Sequence, residues 1–360
     1  DHGTPFYLWE GLPAPELSRC LISPGEGITG GSKLIRCLMA ALEKKGVAIH
    51  YNTKAVSLVK DECFNVEGVS CITPEGRKDY LARGGVILTT GGYGANEAMV
   101  DKYIGPWASR LIVRGSPWIT GENILMAEEV QALLVNMDQF YAGPITPTGH
   151  CNPSPLMHAG YGIQVNTKGK RFVPETWLQV PKAKAIAERT EDNRSFMLIG
   201  ADADKNAQIL TNTIKRFARL GFEVIKADTI EEAAKKAGVP EKNLVETVRE
   251  FNAAVKAGKA KELDPPYDYD EPHALETGPF YMIPAAGGMA STFGGPKINK
   301  DAQVVNFERR PIPGLYAAGA AAGGVWVYDD IGGNQLGGGM VFGRVAARHA
   351  AGRAASRKNA

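Results

Sequence analysis

Three stretches of the chain join an apolar run to a glycine-rich bend: ILTTGGYG (87–94), LYAAGAAAGG (315–324) and IGGNQLGGGMVFG (331–343). Glycine lets a backbone approach a bound molecule closely. A helix that opens on such a bend points free amides and a positive dipole end at negative charge. Tight strand–helix packing would explain any one bend as well. Other side chains could move protons. Tyr281 in GPFYMIP carries a phenol, and His158, in LMHAGYGIQVN with Tyr161, carries an imidazole. A half-buried core tyrosine and an ordinary surface histidine are the competing readings. His150 beside Cys151 has no orienting acid or oxyanion turn near it in sequence, so the pair is no nucleophile signature. Trp118, Trp177 and Trp326 either line an apolar pocket or fill core.

These groups need elements to hold them. Residues 31–59 read as a helix capped by Ser32 and stopped at Lys44–Gly46, followed by a strand at VAIHYNT. VEGVSCITPEG reads as a hairpin turning at Pro74–Gly76, and YGIQVNTKGKRFV as one turning at Lys168–Gly169. Residues 227–258 read as two helices joined at Gly238–Pro240, with Asp228 capping the first and Glu231 three residues on. Strands alternating with helices define an α/β chain. At 360 residues it is long enough for two domains. Prolines crowd 144–155, and the texture differs from there to about 290, which marks an inserted domain. The expected division is 1–143, 144–290 and 291–360.

Composition narrows the partners. Forty-one Lys and Arg against 39 Asp and Glu give a net charge of +2 with no basic run, so nothing favours nucleic acid. No apolar run is long enough to span a bilayer. The five cysteines are scattered without a CxxC pair, which argues against a metal site or disulfide framework and for a reducing, cytoplasmic setting.

In order, TTGGYGANEAMV, GIQVNTKGKRFVPE, DTIEEAAKKAGVPEKNLVETV, GPFYMIP, TFGGPKIN, PIPGLYAAG and GGNQLGGGMVFGRVAARHAA resemble the flavoprotein family of fumarate reductases, succinate dehydrogenase flavoprotein subunits and 3-ketosteroid dehydrogenases. The resemblance covers nearly the whole chain. It implies an α/β fold in which a two-part, Rossmann-like FAD-binding domain is interrupted by an α+β capping domain. It implies FAD as cofactor, with Gln335, Leu336 and Gly337 against the isoalloxazine, Thr90 and Gly91 beside the adenosine part, Val56 at the adenine, and Gly319 and Ala320 near the ribityl chain. It places Tyr281 where ketosteroid dehydrogenases carry a tyrosine, and His158 where fumarate reductases carry a proton-relay arginine.

The departures are informative. No GxGxxG follows a strand, so the chain reads as a fragment of a longer product; a degenerate, flavin-free and inert relative is the alternative. The dicarboxylate clamp of fumarate reductases is replaced by Gln335, Gln179, Ser291 and Gly143. Without bidentate arginines a dicarboxylate site loses its specificity. The expected activity is an FAD-dependent oxidation or reduction of a C–C bond next to a carbonyl, on a neutral substrate that is steroid-like or another enone. Tyr281 or His158 would exchange the proton, backbone amides or Gln335 would hold the enolate, and Gln179, Tyr161 and Ser291 would line the substrate site. The electron donor or acceptor is not legible.

Overall fold

The computed structural model describes residues 7–8, 21–22, 30–147, 162–201, 208–219, 221, 224–327 and 334–358. Up to residue 92 it has strands β1 (Tyr7–Leu8) and β2 (Leu21–Ile22), helix α1 (Gly30–Lys44), and strands β3 (Lys54–Lys60), β4 (Val66–Thr73), β5 (Gly76–Leu81) and β6 (Val86–Leu88). Then come α2 (Glu97–Tyr103), β7 (Ile112–Val113), α3 (Glu122–Glu128), β8 (Leu134–Val135) and β9 (Phe140–Ile145). Next are β10 (Gly162–Asn166), α4 (Gln179–Arg189), β11 (Ser195–Gly200), α5 (Gln208–Arg219) and β12 (Ile225–Ala227). They are followed by α6 (Ile230–Ala237), α7 (Glu241–Lys256) and β13 (Phe280–Thr292). The last are β14 (Gly295–Pro296), β15 (Gln303–Val305), β16 (Pro311–Ala317) and α8 (Asn334–Ser356). The chain forms two compact units: 1–92, 121–139 and 293–360 make the first, and 93–120 with 140–292 the second.

The first unit is built on β16. β6 lies parallel to it, with Leu315 opposite Val86 and Ala317 opposite Leu88, and β15 lies antiparallel on its other side. The meander β3–β4–β5 contributes Leu58 and Val66 to a core shared with Leu88, Val304, Ile312 and Leu315. Burying one such aliphatic side chain is worth about 1.5–3 kcal/mol. Helix α8 turns Phe342, Val345, Ala346 and Ala350 toward Tyr316, the three-and-four spacing of an apolar helix stripe. On the same stripe, His349 Nδ1 lies 2.9 Å from Tyr316 Oη.

The second unit is organised by the thirteen-residue strand β13. Its first half is flanked by β11 and β12, and its second half by β9 and the parallel β7. Side chains alternate faces along a strand. Phe280 and Met282 face the α6–α7 core, while Tyr281, Ile283 and Ala285 face the cluster of Leu210 and Phe217 on α5.

Several expectations are corrected. Residues 47–53 form no strand. Val47, Ile49 and Tyr51 are all exposed, and without a ladder partner among the described residues the alternation has nothing to pair with. The strand begins instead at Lys54. Ser32 lies inside α1, which already starts at Gly30. The first helix of the 227–258 pair is capped by Thr229, not Asp228: Glu232 N donates to Thr229 Oγ1 and Asp228 N donates to Glu232 Oε2. The capping box is therefore one residue further on. Apart from these corrections, the second compact unit joins 93–120 to 140–292, and β7 from the first of these segments pairs with β13. The bend at 331–333 lies outside the described residues, and Val325–Val327 before it are not strand.

Candidate functional site

In the first unit the parallel strands β6 and β16 end side by side, and Ala318 N donates to Leu88 O just past their ends. This brings Thr90–Gly91 and Gly319–Ala320 to one edge, the carboxyl edge where open α/β sheets gather ligands. Gly91 and Gly319 take left-handed backbone angles, φ +82° and +67°. A Cβ on Gly339 would sit 3.7 Å from Gly319 Cα, so the first turns of α8 pack on the same bend. Gln335 is partly exposed there, Gly337 is exposed, and Leu336 is 52% exposed. The leading amides of a helix have no partner within it. Asn123 Nδ2 donates to Ala321 O, while its own Oδ1 is buried without a hydrogen-bond partner. Val56 is the bulged residue of β3, two positions from Lys54, which pairs with Glu122 beside Asn123.

Exposed apolar side chains beside helix-end amides suit a flat heteroaromatic ring that gains negative charge on reduction. An orphaned buried acceptor at the same bend adds a place for a donor. On these observations the residues present fit a flavin.

In the second unit a polar cluster forms where β9 meets the far end of β13. Tyr141 Oη donates to Gln179 Oε1 at 3.1 Å. Gln179 is the first residue of α4 and lies over Gly143, where a Cβ would come 2.8 Å from Oε1. Ser291 pairs with Tyr141 across a bulge in β13 and is nearly buried. Gln179, Ser291 and Gly143, far apart in sequence, are thus neighbours. Tyr281 is not with them. It sits between Ile199 and Lys226, ten residues before Ser291. At the strand rise that is about 30 Å away. His158 and Tyr161, with His150 and Cys151, lie outside the described residues. Of the tryptophans, Trp118 is exposed on the surface, Trp177 is partly covered by Arg189, and Trp326 is buried against Phe293.

Three residues were not legible as site residues. Tyr141 is one aromatic in an apolar strand. Lys182 stands one turn beyond Gln179 on α4 and is 1% exposed. Burial pulls its pKa down to about 8, against the opposing effect of the Glu175 carboxylate. Glu175 is itself held by Arg171 Nη2 at 2.6 Å and by Gln164 N at 2.9 Å. Arg114 follows β7, and its Nη1 is buried without a hydrogen-bond partner. No motif flags any of the three; strand register brings Tyr141 and Arg114 to the bulge in β13, and Lys182 follows Gln179 on α4.

Known proteins agree with this architecture. The family described as "FAD binding domain" matches residues 14–336. The chain belongs to that family, whose cofactor is FAD. It is 29% identical over 329 residues to a probable fumarate reductase, Ifc3, of Shewanella frigidimarina, covering 91% of this chain and 54% of that protein. It is also 29% identical over 368 residues to a 3-oxosteroid 1-dehydrogenase of Mycobacterium tuberculosis, covering 92% and 65%. The open conformation of a flavocytochrome c3 fumarate reductase superposes with a TM-score of 0.81 at 28% identity, covering 98% of this chain and 61% of that one. The chain spans about half the length of the first of these relatives. Among the described residues no helix is long and apolar enough to cross a membrane.

Proposed function

We propose that this chain is the flavin- and substrate-binding part of an FAD-dependent oxidoreductase that reduces or desaturates a C–C bond next to a carbonyl. The observation that carries the reading is the meeting of Gln179, Ser291 and Gly143 around Tyr141. These are the positions where the resemblance to fumarate reductases implies a charged clamp, and here they carry neutral groups. Bound FAD would supply the hydride chemistry. The chain's own residues do the rest. The first turn of α8, with Gln335, Leu336 and Gly337, holds and polarises the ring system. The bends at Thr90–Gly91 and Gly319–Ala320, with Val56, hold the remainder of the cofactor.

Tyr141 is the proton donor in this proposal. Its hydroxyl is oriented by Gln179 and belongs to the cluster, whereas Tyr281 belongs to the packing of α5. Ser291 and Gln179 bind the carbonyl side of the substrate. His158 keeps its sequence-based role as an alternative proton relay.

The test begins with FAD added to the purified chain, followed by gel filtration and a visible spectrum. On the flavin-loaded protein, Tyr141→Phe lowers turnover of an accepted enone by about 100-fold while the flavin band persists. Tyr281→Phe leaves turnover within about threefold. Fumarate does not reoxidise the reduced protein. A large loss with Tyr281→Phe and none with Tyr141→Phe would reverse the assignment of the proton donor. Rapid oxidation by fumarate would overturn the substrate reading.

A further inference from the structure

In a strand the N–H and C=O of one residue point to the same edge, and successive residues alternate between edges. Ala285, Gly287 and Met289 therefore present their backbone groups to one edge of β13. Strand β11 ends its pairing at Ala285, opposite Ser195. Strand β7 takes over at Gly288 and Met289, where Arg114 N donates to Met289 O at 2.8 Å. Gly287 falls in the gap between the two strands. Opposite it on β9 stands Pro144, which has no N–H to give.

The gap is filled by one side chain. Asn193 Oδ1 accepts from Gly287 N at 2.9 Å, and Asn193 Nδ2 donates to Gly287 O at 3.0 Å. A primary amide carries an acceptor oxygen and two donor hydrogens, so it can meet a strand residue as another peptide group would. Asn193 Nδ2 also donates to Arg110 O at 2.8 Å, two residues before β7 begins. Arg110 Nη1 in turn donates to Thr190 O at 3.0 Å. Asn193 is 5% exposed and holds a left-handed φ of +54°, a region asparagine enters more readily than most residues.

The junction it closes carries the cluster. Helix α4 lies close on this part of the sheet. A Cβ on Gly287 would come 2.5 Å from Ala183 O and 2.9 Å from Asn193 Oδ1, as one on Gly143 would come 2.8 Å from Gln179 Oε1. Gln179 and Ala183 are one turn apart on α4. The height of the helix over Gly287 thus bears on the height of Gln179 over Gly143, and with it on the bond from Tyr141 Oη.

We infer that Asn193 is a positioning residue of the proposed site. Its carboxamide takes the place of a strand residue at Gly287 and holds β7, β13 and α4 in the register that brings Gln179 to Tyr141. It acts through Gly287 and α4, not on the substrate. The inference rests on the reading of Tyr141, Gln179 and Ser291 as the substrate site.

The test uses the full chain saturated with FAD. In the wild type, amide hydrogen exchange read by NMR is expected to show Gly287 N–H as slow as its ladder neighbours in β13. Rapid exchange there overturns the inference without any variant. Asn193→Gly removes the carboxamide and keeps the left-handed backbone free of strain. It is expected to speed exchange at Gly287 and Arg114 by about tenfold or more while β10 and β11 stay as slow as before. A uniform change across the unit overturns the inference. On an accepted enone, Asn193→Gly is expected to lower kcat by about tenfold with the flavin band retained. Tyr141→Phe is expected to cost about tenfold in that background, against about 100-fold in the wild type. Two losses that simply multiply would mean that the tie does not position the donor; they overturn the inference and leave Tyr141 as proton donor. No effect of Tyr141→Phe in either background would overturn the proposed function and this inference together.

Discussion

Lys182 shows what a single buried group does to the whole. Its ammonium is taken out of water on α4, and its pKa falls from 10.5 to about 8 in the folded chain. Between those values the unfolded chain holds more protons than the folded one, so stability rises with pH through that window. The contribution is about 3 kcal/mol at most by the size of the shift. Denaturant unfolding at pH 7.5 and pH 10.5 is expected to show this rise in the wild type and to lack it in Lys182→Met. A difference between the two proteins that does not change with pH would show that the lysine titrates normally. The charge that opposes the shift is the Glu175 carboxylate, itself paired with Arg171. None of this was legible in LQVPKAKAIAER, where Lys182 reads as one more solvated charge. Tyr281 is the opposite case: its motif was legible, but its ten-residue separation from Ser291 along one strand was not.

At the scale of elements, glycines in α8 divide into two kinds. A Cβ on Gly338 would fall 2.6 Å from Trp326 Cζ2, whereas a Cβ on Gly337 would meet nothing within 4 Å. Replacing glycine by alanine inside a helix ordinarily stabilises by up to about 1 kcal/mol. Forcing a methyl into a packed aromatic costs about 1–3 kcal/mol. Gly338→Ala is therefore expected to lower the Tm and Gly337→Ala to hold or raise it. A thermal melt of each variant decides the point, and a rise for Gly338→Ala would mean that Trp326 moves freely. The string GGG at 337–339 announced a helix start near a ligand, but not which glycine answers to packing. The two helices at 230–256 and the hairpins at 73–76 and 166–170 were legible because turn chemistry and periodicity are local. The strand expected at 47–53 failed because a strand is decided by its neighbour.

For the whole molecule, the chain passes between its two units four times, after residues 92, 120, 139 and 292. The resemblance suggested one insertion; the finer weaving depends on which strands pair, and that is not written in composition. A chain stopped at Thr292 would keep every strand of the second unit and lose β14, β15, β16 and α8 from the first. It is expected to retain no flavin on gel filtration, whereas the full chain does. Equal retention by both would remove the carboxyl edge of β16 and the start of α8 from the cofactor site.

The bulge in β13 has a historical consequence. Tyr141, Ser291, Gly143, Arg114 and Gln179 hang from backbone whose ladder and helix bonds are indifferent to their identity. Exchange of side chains at Tyr141 or Gln179 leaves the strand pairing intact, whereas at Gly143 any Cβ would come 2.8 Å from Gln179 Oε1. If this cluster is the substrate site, as proposed, a change of substrate there needs new side chains and no new strand pairing.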